Sequence, residues 1–233
     1  MKREIVSVIV PVYNEEKVLR RNIISLGKTL DKLLPDFEII ISEDGSTDRT
    51  HEIAKTLASE KVRVLHNDKR LGKGASIKNA SEHARGNIIM FMDADLASHP
   101  SHVRQLVGLF SSGAAIVIGS RYLKGSKTKR TRIRHFASKS FNFLARTLLG
   151  SKLTDHQCGF KAFRKDLVLP LINEIEDEKW FWDTELLVRA QRSGLKVVEI
   201  PIEWNEEADS KFRLLNDTCH MAYSLVSFKL KNG

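Results

Sequence analysis

Asp93 and Asp95, separated by Ala94, stand directly after the apolar run Ile88-Ile89-Met90-Phe91-Met92. Carboxylates at i and i+2 on a chain just leaving a buried strand can both reach one hard divalent ion, Mg²⁺ or Mn²⁺, which keeps its other positions for phosphate oxygens and water. The alternative is a solvated turn capping a helix; the rigid apolar strand before it favours the metal. Two more acidic clusters follow apolar runs, Pro11-Val12-Tyr13-Asn14-Glu15 and Glu43-Asp44-Gly45-Ser46. Brought to one edge, the three would repel one another unless a cation or hydrogen-bond donors compensate them. Leu71-Gly72-Lys73-Gly74-Ala75-Ser76 lacks the third glycine of a dinucleotide fingerprint and the spacing of a Walker motif. It reads as a glycine turn opening a helix, from which Lys73 can point toward phosphates.

The elements that must position these groups alternate. Residues 5–10, 38–42, 62–65 and 87–92 are short apolar, β-branched runs and read as strands buried on both faces. Between them Val18, Leu19, Ile23, Leu26 and Leu30 recur at helical spacing, a second helix follows the cap-like Ser46-Thr47-Asp48, and a third covers 75–84. Such alternation predicts right-handed βαβ units and an α/β fold with a mixed, mainly parallel sheet flanked by helices. In such sheets ligands bind beyond the carboxyl ends of the strands, where the acidic clusters fall. A helix over 103–110 and a strand over 115–120 continue the pattern, which the basic stretch 121–134 then breaks. Beyond it lie two amphipathic segments, 133–149 and 212–230.

A chain of 233 residues with 42% hydrophobic and 29% charged residues has the material for one folded domain, 1–233, with a first half to 122 and a second from 123. No window approaches the roughly 18–20 apolar residues of a membrane span, and residues 1–4 lead into a strand without a signal-peptide core. Cys158 and Cys219 fit neither a zinc spacing nor a disulfide framework and read as small core residues of a cytoplasmic protein. The net charge of +9 implies an anionic partner without choosing one.

Taken in order, the three acidic motifs, Ser120-Arg121-Tyr122, Asp155-His156-Gln157-Cys158-Gly159-Phe160-Lys161, Trp180-Phe181-Trp182-Asp183-Thr184-Glu185 and Ile202-Glu203-Trp204 resemble the family 2 glycosyltransferases of the GT-A fold, in particular the dolichyl-phosphate β-glucosyltransferases and the related mannose synthases. The resemblance covers nearly the whole chain. It implies that Pro11, Tyr13, Glu15 and Asp44 hold a nucleoside, that Asp93, Ala94 and Asp95 meet the metal and diphosphate, and that Arg121 and Lys211 lie near the donor phosphates. Arg134 and Ser138 match a pattern that meets the acceptor phosphate. The implied reaction is inverting transfer of a hexose from a nucleotide sugar, UDP-glucose favoured, to a polyprenyl or dolichyl phosphate. Where mannose synthases carry Gln and Arg, this chain has Ala97 and Asn205, which favours UDP-glucose over GDP-mannose. Glu43 replaces the first Asp of the usual pair.

The remaining candidates divide. Trp180, Trp182 and Trp204 read as core aromatics. Asp183 and Glu185 sit where many family members place a base, yet a phosphate acceptor is already anionic and needs none; Asp155 is open between organising a loop and serving the site. The basic Lys124, Lys127, Lys129, Arg130, Arg132 and Arg134, followed by Ile133, Phe136, Ala137, Phe141, Leu144 and Leu148 at helical spacing, have the composition of a segment lying on an anionic membrane, here the cytoplasmic face. The 212–230 segment carries fewer charges and fits packing on the domain equally well. No helix-turn-helix, zinc or RNP signature supports a nucleic-acid partner, and the missing glycine weakens a dinucleotide-dependent oxidoreductase.

Overall fold

In the computed structural model, which describes residues 4–205 and 214–232, the expected strands form one seven-stranded sheet. Strands β1 (Val6–Val12), β2 (Phe37–Asp44), β4 (Ile88–Met92) and β5 (Ile116–Ser120) send apolar side chains to both faces. Strand β3 (Val62–Asn67) is a correction: it is only half-buried, because it lies at the sheet edge with one neighbour. Strand β7 (Phe160–Arg164), from the second half of the chain, runs antiparallel between β4 and β5, while β8 (Val197–Pro201) pairs parallel with β5. The order is β3-β2-β1-β4-β7-β5-β8.

One face packs Val8, Val10, Ile39, Ile41 and Met90 under α1 (Leu19–Leu33), α2 (Thr50–Leu57) and α4 (Val103–Gly108). The other packs Ile9, Ile40, Ile89 and Phe91 under α3 (Lys73–His83), α6 (Lys165–Asn173) and α7 (Trp182–Arg192). A third apolar layer, Phe141, Ala145 and Leu149 of α5 (Arg132–Leu149) with Met221, Leu225 and Phe228 of α8 (Leu214–Asn232), closes over Phe181 and Val188. Thus α5 is apolar on two sides. Phe141 faces α8, whereas Ile133, Phe136, Phe143, Leu144 and Leu148 face outward, so the single stripe expected from spacing is split.

The basic stretch is not one solvated loop. Lys127–Lys129 forms β6, paired parallel with β9 (Glu203–Asn205), and Lys127 Nζ meets Glu203 Oε1 at 2.9 Å. Cys158 is buried as expected; the side chain of Cys219 lies outside the described residues.

Candidate active site

The loops after β1 and β2 are stitched together before any ligand arrives. Asn14 adopts a left-handed backbone with φ 55°, a conformation Asn tolerates better than most residues. Its amide donates to Ser46 Oγ at 3.0 Å, its side-chain Oδ1 accepts from Thr47 N at 2.8 Å, and Glu15 N donates to Thr50 Oγ1 at 2.7 Å. Asp44 accepts from Leu71 N at 2.9 Å and Gly72 N at 3.0 Å. That is where the amides of the glycine turn go. Gly72 has φ 108°, and a Cβ there would lie 2.5 Å from Glu178 O, so only glycine fits.

At the end of β4 the two carboxylates differ. Lys73 Nζ bonds Asp93 Oδ1 at 2.6 Å; burial pulls the ammonium down, but the carboxylates of Asp93 and Asp183 more than reverse this, to about 12. Asp93 Oδ2 fits against Gly159, where a Cβ would come within 1.7 Å. Asp95 accepts from Ala97 N at 2.9 Å, and burial, then the neighbouring Asp93 charge, push its carboxyl up to about 6. Leu96, between Asp95 and that amide, holds a left-handed φ of 53°, strain of the kind kept where a site fixes its groups. Two oxygen donors rigidly placed, with Asp95 short of countercharge, fit an oxygen-preferring divalent ion.

Arg121, at the end of β5, is buried against Asp155. Its Nε and Nη2 reach the two carboxylate oxygens at 2.7 and 2.8 Å, and its backbone amide adds a third bond at 3.0 Å. Burial raises the Asp155 carboxyl and Arg121 more than reverses it, leaving Asp155 below the ordinary value. Glu199 holds the amides of Thr154 and Asp155 at 2.9 and 3.0 Å. Asp155 therefore organises its loop and aims Arg121, whose guanidinium lies 5.0 Å from the Trp204 ring centre. Asp183 is held by the fully buried Lys161 ammonium at 2.6 Å. Glu185 faces away, bonding the amides of Glu176 and Asp177 and the side chain of Arg189.

Helix α5 supplies a second stretch of the lining. Arg134 and Ser138, one turn apart, border the cavity with Arg130 and Phe141. The Ser138 hydroxyl is buried without a hydrogen-bond partner. Behind it, Asn142 Nδ2 donates to Ser138 O at 2.9 Å, and Asn142 Oδ1 takes the His156 amide at 2.9 Å, tying α5 to the Asp155 loop. Burial pushes the His156 imidazole down to about 4.

A cavity of about 420 Å³ joins these parts. Pro11, Tyr13, Glu15, Asp44, Lys73, Asp93, Ala94, Asp95, Arg121, Arg134 and Ser138 all line it; Lys211 lies outside the described residues. Sequence reasoning missed Arg70, whose guanidinium sits 4.0 Å from the Tyr13 ring centre, and Gln157. The signal for Arg70 was its place just before the glycine turn. The tryptophans need correcting: Trp182 is core, edge-on to Phe91, but Trp180 and Trp204 border the cavity. Arg130 and Arg134 point there too, not only to a surface. Ala97 and Asn205 are joined by Asn205 N to Ala97 O at 2.9 Å, and neither is among the described residues lining it.

Among solved structures, glucosyl-3-phosphoglycerate synthase from Mycobacterium tuberculosis, in complex with Mn²⁺, UDP-glucose and phosphoglyceric acid, superposes with a TM-score of 0.71 over 98% of this chain and 79% of that one. At 22% identity the likeness is one of fold. Glycosyltransferase AglD of Haloferax volcanii is 41% identical over 95% of this chain, which spans only 36% of that protein's length. The dolichyl-phosphate beta-glucosyltransferase of Saccharomyces cerevisiae is 30% identical, covering 96% of this chain and 74% of the relative. The family model for glycosyl transferase family 2 matches residues 7–170, a span that takes in all three acidic clusters, the glycine turn and the Arg121–Asp155 pair. The chain belongs to glycosyl transferase family 2.

Proposed function

We propose that this glycosyltransferase moves glucose from UDP-glucose to a polyprenyl phosphate of the dolichyl type, with inversion, while resting on the cytoplasmic face of a membrane. The observation that carries this is the pair Arg134 and Ser138, a cation and a buried unpartnered hydroxyl, lining the same cavity as Asp93 and Asp95. In the proposed reaction an acceptor phosphate oxygen attacks the anomeric carbon. The new carbon–oxygen bond forms as the bond to the diphosphate breaks, its electron pair leaving with the nucleoside diphosphate. No proton must be removed from the acceptor, in keeping with Asp183 being tied to Lys161.

Asp93 and Asp95 would hold Mg²⁺ or Mn²⁺, which supplies charge for the leaving diphosphate. Arg121, kept in place by Asp155, and Lys73 add fixed positive charge to the same end. Tyr13 with Arg70 offers a flat face for the base. Arg134 grips two acceptor oxygens and Ser138 adds a hydrogen bond, aiming the nucleophile at the far side of the sugar. The relatives named as dolichyl-phosphate glucosyltransferases support the acceptor and the sugar; GDP-mannose is the nearest alternative donor.

No helix of the described residues is long and apolar enough to cross a membrane. Attachment would come from Ile133 and Phe136 of α5 and Tyr223 and Leu230 of α8, exposed by 69, 74, 74 and 82%. Exposed Lys124, Lys129, Arg132 and Lys139 precede or belong to α5 in the chain, each worth about 1 kcal/mol at an anionic surface. The test is a panel of radiolabelled nucleotide sugars offered with polyprenyl phosphate and followed by solvent extraction. Label from UDP-glucose should enter the lipid phase; label from GDP-mannose alone would move the chain to the mannose branch, and label from neither would overturn the reading.

A further inference from the structure

Away from the cavity, three side chains from three elements turn metal-binding atoms toward one point. Glu43, next to last in β2, has its carboxylate fully buried, and Oε1 is fixed by the Ser46 amide at 2.6 Å. Oε2 faces His66 Nδ1 of β3 at 2.5 Å and His51 Nδ1 of α2 at 3.4 Å. The imidazole rings lie 3.8 Å apart, tilted by 31°. All three donor atoms fall within 4.8 Å of one another.

Hydrogen bonding alone does not account for this arrangement. One imidazole nitrogen takes the Glu43 oxygen, and the other, His51 Nδ1, is buried with no hydrogen-bond partner. A buried nitrogen without a partner is costly. A cation between the three satisfies both nitrogens and the oxygen together. His66 Nε2 also lies 3.5 Å from Asp68 Oδ1, the outer carboxylate that commonly orients a ligating histidine.

We infer that Glu43, His51 and His66 form a second metal site, distinct from the Asp93–Asp95 pair and selective for Zn²⁺. Two imidazoles and one carboxylate suit borderline ions such as zinc, whereas paired carboxylates suit Mg²⁺ or Mn²⁺. Ligands about 2.1 Å from a tetrahedral ion stand about 3.4 Å from each other. The His51 to Glu43 spacing already has that value, and His66, partly open to solvent, must swing back by about 1 Å. The fourth position is left to water, which the partly exposed His51 and His66 admit. The ion would pin β2, β3 and α2 together just behind the loop that carries Asn14 and Ser46, through the Glu43–Ser46–Asn14 hydrogen bonds. Its role is structural support of the donor loops.

The inference stands whether or not the proposed acceptor is right. The whole chain, stripped with chelator and held in millimolar Mg²⁺, is titrated with Zn²⁺ by calorimetry and with Co²⁺ by visible absorption. One equivalent should bind despite the Mg²⁺, the Co²⁺ form should show intense tetrahedral bands, and Zn²⁺ should raise the melting temperature. His51→Gln and His66→Gln should each weaken binding at least tenfold and abolish the bands, with circular dichroism unchanged; Asp68→Asn should weaken it less, and Asp95→Asn not at all. No binding in the presence of Mg²⁺, binding untouched in both histidine variants, or binding lost in Asp95→Asn would each overturn the assignment.

Discussion

The two walls of the cavity are built on opposite terms. On the sheet side, Asp44 and Asp93 already receive donors from the protein, from Leu71, Gly72 and Lys73, and the loops are pinned by short hydrogen bonds. On the α5 side, Ser138 presents a buried hydroxyl with no partner, on a helix whose remaining surface is apolar on two sides. The first wall is preorganised, as fixed charge must be if it is to stabilise a leaving diphosphate without reorganising. The second is completed by what binds to it. A soluble nucleotide can meet a finished site, while an acceptor with a long apolar tail needs a wall bordering both the cavity and an apolar exterior.

The contrast is broken most severely at Asp95. Asp95→Asn should lower transfer by about three orders of magnitude, yet leave the melting temperature unchanged or raised, because it removes a buried like-charge neighbour of Asp93. A large loss of stability would mean the carboxylate serves the fold.

Asp155→Ala tests the positioning of Arg121. Removing one partner of a buried pair leaves the guanidinium uncompensated, and chemical denaturation should show a loss of about 3–5 kcal/mol. A loss within experimental error would make the pair incidental.

His156 sharpens the join between the walls. Its pKa falls from an ordinary value near 6.5 to about 4 in the fold, so the unfolded chain binds the extra proton first. Its contribution is whole above pH 6.5, declines as the pH falls, and is gone below pH 4, a span of about 3 kcal/mol. Denaturation at pH 7 and pH 4.5 should show this slope in the native protein and a shallower one in His156→Gln; equal slopes would contradict it.

Ser138→Ala should have the smallest effect. Stability should hold or rise slightly, since an unpartnered buried hydroxyl is removed. Transfer should fall by about tenfold, the low end of the worth of one hydrogen bond to a charged group. Lost stability with unchanged transfer would remove Ser138 from the acceptor wall.

Much of the sheet side was legible in the sequence because strands buried on both faces leave an unambiguous apolar run, and the polar residues that end each run mark where the sheet opens. The antiparallel β7 was not legible: Phe160-Lys161-Ala162-Phe163-Arg164 carries the buried Lys161, whose partner Asp183 lies 22 residues on. Nor was the two-sided character of α5, since helical spacing reports that a face is apolar but not whether protein or solvent meets it. The Trp180 and Trp182 pair fails for a similar reason. Residues two apart near a helix start point in different directions, and only tertiary packing against Phe91 decides which is core.

The central claim is that one cavity has a donor wall and a separate acceptor wall, and Arg134 tests it most directly. UDP-glucose binding by calorimetry and initial rates of transfer to polyprenyl phosphate are measured side by side for the native protein, Arg134→Ala and Arg134→Lys. The account predicts nucleotide affinity within about twofold of native in both variants, with transfer down about a hundredfold in Arg134→Ala and partly restored in Arg134→Lys, where the charge returns without the two-pronged grip. Nucleotide affinity falling in step with transfer would place Arg134 in the donor wall and contradict the division.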